Sequence, residues 1–306
     1  MMSNPVDALP LFFSIVIPTF RREERLGPLF AALAPQIAAL PHPAEVILVD
    51  NSPEGSAAAV LRPDFVRYVH EPRPGVAHAR NRGVAEARGS HVVFLDDDEL
   101  PCAGWLAAFA TAAAGGAAAC FGRVEPDFDS PPPEALRQPL ERLFSRRLPL
   151  ASGTDVSGWR AYLGSGNSMF ARALLSRIDP PFDVAMNGGG EDVWLFRQLV
   201  DDLGAVLIWC PEAQVREMVP ADRSTLRFLR RRRFSDGQLR CLVESGAGGL
   251  RGAAKVGFWM TAGAVQAIVY GAAAMVTRPV SPPLSARMEL TACGGAGKLL
   301  WKRRKQ

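Results

Sequence analysis

The sequence has few cysteines and histidines, and it lacks the glycine-rich loops with which many proteins bind nucleotides. Its five cysteines are scattered and without CxxC spacing, which argues against a disulfide framework and against a zinc site. Its four histidines show no metal-ligand spacing. No strand-like run is followed by GxGxxG or GxxxxGKS/T, which argues against a dinucleotide dehydrogenase and a P-loop enzyme. A bound nucleotide would need another means of neutralising its phosphates.

The N-terminus lacks the pattern of a signal peptide. Its first apolar stretch, residues 9–18, is short and has no basic leader, so we predict a strand there and expect the catalytic part in the cytoplasm. Of the 306 residues, 48% are apolar and 22% are charged, which is typical of a globular protein with a sizeable core. The net charge is only +4, but acidic residues concentrate in the first two thirds and basic residues toward the end.

Apolar runs alternate with helix-like segments through the first 125 residues. Strands are predicted at 12–17, 45–49, 65–69, 91–95 and 117–124, and helices at 22–40, 76–87 and 105–114. This alternation predicts an α/β fold with a mostly parallel, doubly wound sheet flanked by helices. The carboxyl ends of three strands then place Thr19, Asp50 and the aspartates that follow residue 95 along one edge of the sheet.

The most informative stretch is HVVFLDDDE, in which Asp96, Asp97 and Asp98 directly follow an apolar run and Glu99 comes next. Adjacent carboxylates repel one another, so a strand end of this kind usually has a cation that compensates them. Mg²⁺ or Mn²⁺ is the natural candidate, because hard metals prefer oxygen ligands and often bridge to phosphates. The same stretch is equally consistent with a solvated turn that caps the next helix.

Asp50 ends the second predicted strand and has two interpretations. On the predicted sheet edge, its carboxylate is well placed to accept hydrogen bonds from a base or a ribose. Alternatively, the sequence Asp50-Asn51-Ser52-Pro53 forms an Asx turn that leaves the strand, and such a turn needs no ligand.

Several ordered segments resemble the family-2 glycosyltransferases that have the GT-A fold. The family's donor half is matched by three segments of this sequence: SIVIPTFRREERL, EVILVDNSPEG and PGVAHARNRGVAEARGSHVVFLDDDELP. The family's acceptor half is matched by LGSGNSMFARALL and FDVAMNGGGEDVWLFRQL. The resemblance covers about residues 12 to 240. It implies a Rossmann-like GT-A catalytic domain at 1–245, with a donor half at about 12–125 and an acceptor half at about 160–245. The remaining residues, 246–306, are predicted from their own composition to form a helical, membrane-associated region. The implied reaction is an inverting sugar transfer from a nucleotide-diphosphate donor.

The resemblance also implies roles for residues of the donor half. Pro18, Thr19 and Arg21 would line the nucleobase pocket, and Asp50 would contact uracil or another base. Arg80, within AHARNRG, matches the nucleotide-side arginine of the family.

The same comparison divides the aspartates of LDDD. Asp96 would contact the ribose or the donor sugar, Asp98 would bind the metal that joins both phosphates, and Asp97 occupies the less important middle position. Many relatives have a metal-binding histidine later, at a strand end before Val-Pro, where this sequence has Glu217. A glutamate oxygen suits a hard metal, so Glu217 is a candidate ligand; alternatively, a third protein ligand is absent.

Glu191 and Asp192 open an amphipathic helix in the acceptor half. The family pattern makes Asp192 the base that deprotonates the acceptor hydroxyl, whose pKa lies far above neutrality, and makes Glu191 its neighbour in acceptor binding or orientation. The alternative is that the two acids cap the helix, since acidic residues are favoured at a helix N-terminus.

Two further segments are open to several interpretations. The basic run Arg230 to Arg233 has no aromatic platform or helix-turn-helix pattern beside it, so we expect no nucleic-acid partner. By the resemblance it would lie in a loop that closes over the diphosphate, or it would face anionic lipid. Residues 127–160 are predicted to form a mobile excursion between the donor and acceptor halves. Near its end, Trp159 and Tyr162 would stack on a sugar face or, in the interpretation that we prefer, anchor the loop in the core.

Residues 256–277 contain no charged side chain over a length sufficient to cross a bilayer, although they are rich in alanine and glycine. Both flanks are basic, which favours a helix that lies in the membrane interface or dips back, with the tail 298–305 on anionic headgroups. The alternatives are a spanning helix and a helix packed on the catalytic domain.

The sequence therefore predicts an inverting, metal-assisted glycosyltransferase at the cytoplasmic face of the cell membrane. The expected donor is a nucleotide-diphosphate sugar, with a UDP-sugar as the first candidate, and the expected acceptor is a lipid-linked or cell-envelope glycan. Two rival classes are a non-catalytic membrane-associated scaffold that binds nucleotide sugars and a metal-dependent nucleotidyltransferase.

Overall fold

The structure is a computed structural model, and it describes residues 11–186, 189–246 and 248–303. The chain forms two compact units. Unit 1 consists of the described residues up to Glu125 together with Arg146–Glu217, and unit 2 consists of Pro126–Ser145 and the described residues from Met218 onward. The division into a catalytic domain at 1–245 and a C-terminal region at 246–306 remains a prediction, because it concerns function and the two units are defined by their internal contacts.

The described part of the chain contains the strands β1 (Phe13–Thr19), β2 (Ala44–Asp50), β3 (Val66–His70), β4 (His91–Phe94), β5 (Glu99–Pro101), β6 (Ala119–Phe128), β7 (Ser168–Ala171) and β8 (Ile208–Val219). Its α-helices are α1 (Glu23–Ala39), α2 (Val76–Glu86), α3 (Trp105–Ala114), α4 (Glu134–Phe144), α5 (Arg172–Leu175), α6 (Glu191–Arg197), α7 (Leu226–Ser245), α8 (Gly249–Val265), α9 (Gly271–Thr277) and α10 (Pro282–Leu299). Every strand and helix predicted in the first 125 residues is present, with ends shifted by a few residues. The short strand β5 was not predicted.

The strands form one sheet in the order β3-β2-β1-β4-β7-β6-β8-β5. Strand β1 is parallel to β2 and to β4, and β2 is parallel to β3. Strand β7 is antiparallel to β4 and to β6, so β6 runs in the same direction as β4, while β5 is antiparallel to β8. The predicted α/β class is confirmed, and the insertion of β7 makes the second half of the sheet mixed in direction.

Helices cover both faces of the sheet in unit 1, which explains why its central strands are apolar throughout. In β1, Phe13, Ile15 and Ile17 pack in a cluster with side chains of α1 and α3, whereas Val16 belongs to the cluster on the other face. Helix α2 approaches this second face so closely that a Cβ at Gly83 would lie 2.2 Å from Val16 Cγ1. Close packing at this point therefore requires glycine.

The parallel register brings polar strand ends together, as the sequence predicts. Thr19 at the end of β1 is the register partner of Asp50 at the end of β2. The aspartates follow β4, which is the other neighbour of β1, and Thr19 Oγ1 donates a hydrogen bond of 2.9 Å to Asp97 Oδ2. The sheet edge thus carries the candidate site.

In unit 2, α7 begins at a threonine cap, where Thr225 Oγ1 accepts a hydrogen bond of 3.2 Å from the Phe228 amide. The run Arg230 to Arg233 lies inside this helix, so the prediction of a loop at these residues is wrong. Arg230 pairs with Glu289 of α10, because the two helices pack face to face.

A π-helical segment, Gln266–Tyr270, joins α8 to α9 in one continuous helix, Gly249–Thr277. By length and composition this helix is able to cross a membrane. In its most apolar stretch of 18 residues, 6% is buried within the protein. Exposed side chains along it include Phe258, Ile268 and Val276. The apolar helix expected at 256–277 is present and is not a buried core helix. In the basic tail, residues 304 and 305 lie outside the described part of the chain.

Candidate active site

The aspartates after β4 are compensated by arginine side chains of the segment after β1. Asp97 and Asp98 are both buried. Arg22 Nη1 donates to Asp97 Oδ1 at 2.6 Å and to Asp98 Oδ2 at 2.9 Å, and Arg25 Nη1 lies 3.6 Å from Asp98 Oδ2. The cation that like charges at a strand end require is therefore supplied, in this conformation, by guanidinium groups.

Neither arginine was among the sequence predictions, which selected Arg21 instead. Arg21 is exposed and forms a two-pronged pair with Glu54, with Nε to Oε1 at 2.7 Å and Nη2 to Oε2 at 3.1 Å. The signal for Arg22 and Arg25 was their spacing, because residues three apart at a helix start lie on one face. Pro18 is buried within β1, two residues before the exposed Phe20.

Asp97 is the most enclosed of the three aspartates. Burial raises the pKa of Asp97 to about 6, and the negative charge of Asp98 adds to this effect, against the opposing effect of Arg22. Its hydrogen bonds to Thr19 and Arg22 connect the end of β1 to the end of β4. This middle aspartate is thus a connecting residue in the described geometry.

Asp96 faces a different partner from its two neighbours. Arg80 of α2 donates from Nη2 to Asp96 Oδ1 at 3.2 Å and from Nη1 to Glu191 Oε1 at 2.8 Å. Arg80 and Glu191 are both buried, whereas about a third of the Asp96 side chain is exposed (35%). One guanidinium therefore joins the aspartate triplet to the Glu-Asp pair, although their positions are far apart in sequence.

Glu191 is held in an environment that opposes ionisation. Burial and the negative charge of Asp192 raise the pKa of Glu191 to about 7, while Arg80 acts in the opposite direction. Within the described residues, Glu191 Oε2 and Arg80 Nε are buried atoms that make no hydrogen bond. Such atoms are uncommon in folded proteins, and a catalytic role is one of the explanations for them.

Asp192 lies in the first turn of α6, directly after two glycines with positive φ angles, Gly189 and Gly190. Its Oδ1 accepts a hydrogen bond of 2.7 Å from the Val193 amide, and its Oδ2 lies 4.0 Å from where a Cβ of Gly164 would be. The first contact agrees with a role at the helix terminus. The second places the other carboxylate oxygen beside the loop that precedes β7.

Arg146 holds that loop in place. The sequence predictions missed it, because no feature of the neighbouring sequence indicates that this arginine is buried. Among the described residues, Arg146 donates to four backbone carbonyls: Nε to Gly122 at 2.7 Å, Nη1 to Gly164 at 2.7 Å, and Nη2 to Gly166 at 2.9 Å and Asn167 at 2.7 Å. Burial lowers the pKa of Arg146 to about 10, although nearby carboxylates, Glu99 first among them, oppose the shift.

Glu99 and Glu217 are register partners in the pairing of β5 with β8. Glu99 is buried, and its Oε2 accepts a hydrogen bond of 3.0 Å from the Asp96 amide. Burial and the charge of Asp96 raise the pKa of Glu99 well above its ordinary value. Glu217 is half-buried on the adjacent strand, and its negative charge adds to the rise in the pKa of Glu99.

Asp50 forms the Asx turn that was its alternative interpretation. Its Oδ1 accepts from the amide and the hydroxyl of Ser52, at 3.0 and 2.8 Å, and its Oδ2 accepts from the Ala57 amide at 2.7 Å and the Tyr68 hydroxyl at 3.1 Å. Burial and the Asp50 charge raise the pKa of Tyr68 to about 12. Because a carboxylate offers about four acceptor positions, a contact with a base requires one of these bonds to exchange. That contact remains a prediction.

A comparison with known protein families matches residues 14–176 to the family described as glycosyl transferase family 2. The matched segment contains the arginine pair after β1, Asp50, Arg80 and the aspartate triplet. The chain belongs to glycosyl transferase family 2. Residues 191 and 192 lie outside the matched segment, so their assignment depends on the geometry given above.

A relative of this glycosyltransferase supports the assignment beyond the matched domain. The succinoglycan biosynthesis protein ExoM of Rhizobium meliloti (strain 1021) is 34% identical over 273 residues, which cover 82% of this chain and 84% of that protein. The fold is also that of solved structures. S. aureus TarS 1–349 matches over 96% of this chain and 92% of that chain, with 16% identity and a TM-score of 0.50. The same TarS fragment in complex with UDP matches with a TM-score of 0.51 and 15% identity.

The predicted metal ligands of this glycosyltransferase are the carboxylates of Asp98 and Glu217. Among the described residues, no group of three or more His, Cys, Asp or Glu side chains is placed to hold a metal ion. Mg²⁺ is commonly held by one or two carboxylates together with substrate phosphates and water. Asp98 and Glu217 carry oxygen donors of the kind that a hard cation prefers, so they remain the predicted ligands of a cation that would bind together with a diphosphate.

Proposed function

We propose that this glycosyltransferase is an inverting enzyme, with Asp192 as the base that activates an acceptor hydroxyl. The observation that carries the proposal is the bridge formed by Arg80, whose guanidinium contacts both Asp96 and Glu191. Because Asp192 is the neighbour of Glu191 in α6, this bridge supports a site in which donor-side and acceptor-side carboxylates act on opposite ends of one reaction.

In the proposed reaction, the acceptor hydroxyl oxygen attacks C1 of the donor sugar from the face opposite the nucleotide. The Asp192 carboxylate takes the hydroxyl proton, the new glycosidic C–O bond forms, and the bond from C1 to the diphosphate oxygen breaks, so the nucleoside diphosphate leaves with its electron pair. One displacement at C1 inverts the anomeric configuration. Glu191, held by Arg80, would position the α6 terminus and contact the acceptor.

The donor is proposed to be a UDP-sugar. Pro18, Thr19, Arg21 and Asp50 would line the base side, and Asp96 would contact the ribose or sugar. The UDP complex of TarS, whose fold is similar, supports this choice of nucleotide. Asp98 and Glu217 would hold Mg²⁺ or Mn²⁺ beside the diphosphate, where such a cation neutralises the charge of the leaving group. Asp98 would then exchange its contact with Arg22 for the cation.

Release of UDP tests the donor and base assignments. The protein is incubated with UDP-glucose, UDP-galactose or UDP-N-acetylglucosamine and Mn²⁺, with detergent-solubilised lipid as acceptor source, and UDP is quantified. Asp98→Asn and Asp192→Asn should each lower the rate at least about 100-fold, because each removes a charged group from the reacting centre. Asp64→Asn, at an exposed position, is the matched control and should retain the wild-type rate. Unchanged turnover in either site variant removes its assigned role.

The acceptor is proposed to be a glycan, free or lipid-linked, and the reaction is proposed to occur at the cytoplasmic face of a membrane. The relative described as a succinoglycan biosynthesis protein supports a polysaccharide pathway. The exposed apolar face of helix Gly249–Thr277 supports association with lipid, because a contiguous apolar face of this size commonly marks an interaction surface. We expect no nucleic-acid partner.

Flotation with anionic vesicles tests the membrane assignment. The wild-type protein should float with vesicles that contain phosphatidylglycerol, and the double variant Phe258→Glu, Ile268→Glu should remain in the dense fraction. Leu61→Glu replaces an exposed apolar residue in unit 1 and should leave flotation unchanged. Equal flotation of the double variant and the wild type would contradict the assignment.

The family assignment favours glycosyl transfer over the two rival classes. A nucleotidyltransferase would consume a nucleoside triphosphate and release pyrophosphate, and a scaffold would bind UDP-sugars without releasing UDP. The same incubation therefore distinguishes all three, provided that nucleoside triphosphates are included in a parallel reaction.

A further inference from the structure

Two aromatic side chains lie exposed in the 3₁₀ segment Ser157–Tyr162. Trp159 is 45% exposed and Tyr162 is 73% exposed, so the prediction that they anchor the loop in the core is wrong. Because a 3₁₀ helix has three residues per turn, positions three apart lie on the same side. The two rings accordingly meet edge to face, with centroids 6.3 Å apart and an interplanar angle of 62°.

The backbone that carries the two rings is fixed by other residues. Ser157 Oγ accepts a hydrogen bond of 3.0 Å from the Leu207 amide, and Arg160 pairs with Asp201 at 3.0 Å. Val156 and Leu163, which flank the segment, are buried in the core of unit 1. The polar and aliphatic neighbours therefore hold the segment, and the aromatic rings are not needed for that purpose.

The pair also lies near the candidate base. Tyr162 is two residues before Gly164, which is at most about 7.6 Å of backbone. Gly164 is the residue whose Cβ position lies 4.0 Å from Asp192 Oδ2, and its carbonyl is held by Arg146. The 3₁₀ segment further packs against α6, the helix that begins with Glu191 and Asp192.

We propose that Trp159 and Tyr162 form a binding subsite for a pyranose ring of the acceptor. The proposal rests on the proposed function, because its ligand is the saccharide whose hydroxyl Asp192 would deprotonate. The C–H groups on one face of a pyranose carry partial positive charge, and they complement the negative face of an aromatic ring. Rings on a fixed backbone lose little conformational freedom on binding, so they are suited to orient a sugar toward a base.

Binding to an oligosaccharide array, with UDP and Mn²⁺ present, tests the subsite. The array carries neutral and acidic oligosaccharides that end in glucose, galactose or N-acetylglucosamine. Wild-type protein should bind at least one of these, and Trp159→Ala and Tyr162→Ala should each weaken that binding about tenfold, as expected for loss of one stacking ring. Trp159→Phe and Tyr162→Phe, which keep a ring, should retain most of the binding. Leu61→Ala, at an exposed apolar position, should bind as the wild type does.

Slow hydrolysis of the UDP-sugar without any acceptor provides a separate readout. It should be the same in wild type, Trp159→Ala and Tyr162→Ala, because water needs no sugar subsite. The subsite would be overturned if the alanine variants bound saccharides as well as the wild type does, or if the wild type bound none. Either result could occur with hydrolysis unchanged. Absence of UDP release by the wild type when UDP-sugars and the lipid acceptor source are both present would instead contradict the proposed function, and a saccharide signal that still depends on the two rings would sustain the subsite.

Discussion

The aspartate triplet divides between two arginine clusters that differ in burial. In the outer cluster, Asp97 and Asp98 contact Arg22, whose side chain is 29% exposed. In the inner cluster, Asp96 and Glu191 contact Arg80, whose side chain is 7% exposed. Adjacent residues of one sequence motif thus belong to two electrostatic environments.

The difference teaches which contacts can exchange. The partly exposed Arg22 guanidinium is able to move into water, and an incoming cation would then compensate the buried Asp97 and Asp98, so the outer cluster is suited to release Asp98 to a cation and diphosphate. A buried guanidinium with two carboxylate partners has no such alternative, because removing one member leaves an uncompensated charge. The inner cluster is therefore suited to hold Glu191 and Asp192 in a constant position.

The largest expected effect is the loss of the inner arginine. Arg80→Met should lower the free energy of unfolding by roughly 3–5 kcal/mol, because it leaves Glu191 and Asp96 without their cation. Urea denaturation followed by tryptophan fluorescence measures the change. Arg82→Met removes an exposed arginine of the same helix, paired with Glu86, and should cost less than about 1 kcal/mol. Equal costs for the two variants would break the distinction between buried and exposed clusters.

The second expected effect is the pH dependence contributed by Glu191. Because its pKa is raised to about 7, the folded state binds a proton that the unfolded state has already released above its ordinary pKa, near 4.5. The contribution to stability therefore falls as the pH rises from about 4.5 to about 7, by on the order of 3 kcal/mol at most.

Urea midpoints at pH 5 and at pH 7.5 measure this contribution. The free energy of unfolding should fall less between pH 5 and pH 7.5 in Glu191→Gln than in the wild type. Other buried acids, such as Glu99, contribute equally to both proteins and cancel in the difference. If the free energy of unfolding depended on pH in Glu191→Gln as it does in the wild type, Glu191 would have an ordinary pKa.

The third prediction concerns the glycine that faces Asp96. A Cβ at Gly166 would lie 2.5 Å from Asp96 Oδ2 and 3.0 Å from Glu99 Oε1. Gly166→Ala should cost about 1–3 kcal/mol by overpacking and should weaken UDP binding, because the Asp96 carboxylate must move. Gly158→Ala, where a Cβ meets open space, is the control and should leave both quantities unchanged.

The smallest expected effect is the loss of the outer arginine. Arg22→Met should lower the free energy of unfolding by about 1 kcal/mol, since the Arg22 side chain is itself partly exposed and Arg25 remains near the buried Asp98. The same urea titration measures it. A cost as large as that of Arg80→Met would show that Arg22 is a fixed structural partner, and Asp98 would then be unsuited to exchange.

The alternation of strands and helices was predictable because both faces of the sheet are covered, which makes each buried strand a continuous apolar run. The edge that carries Thr19, Asp50 and the aspartates followed from parallel register alone. The opposite direction of β7 was not predictable, because a four-residue strand carries no periodicity that distinguishes direction.

The partners of the site residues were harder to predict than the residues themselves. Arg22 differs from Arg21 only in the direction that its side chain takes after β1, and Arg21 has a positive φ that turns it outward. Arg146 serves backbone carbonyls, which leave no mark on the sequence. Trp159 and Tyr162 were predicted to anchor a loop in the core, and their three-residue spacing indicates a shared side only once the segment is known to be a 3₁₀ helix.

Calorimetric titration with UDP and Mn²⁺ most directly tests the central claim, that Asp98 acts on the donor and Asp192 on the acceptor. Asp98→Asn should weaken UDP binding at least about tenfold, because one charged oxygen ligand is lost, whereas Asp192→Asn should bind UDP within about twofold of wild type and still fail to transfer sugar. Equal loss of UDP binding in both variants, or normal binding in Asp98→Asn, would contradict the division of roles between the two aspartates.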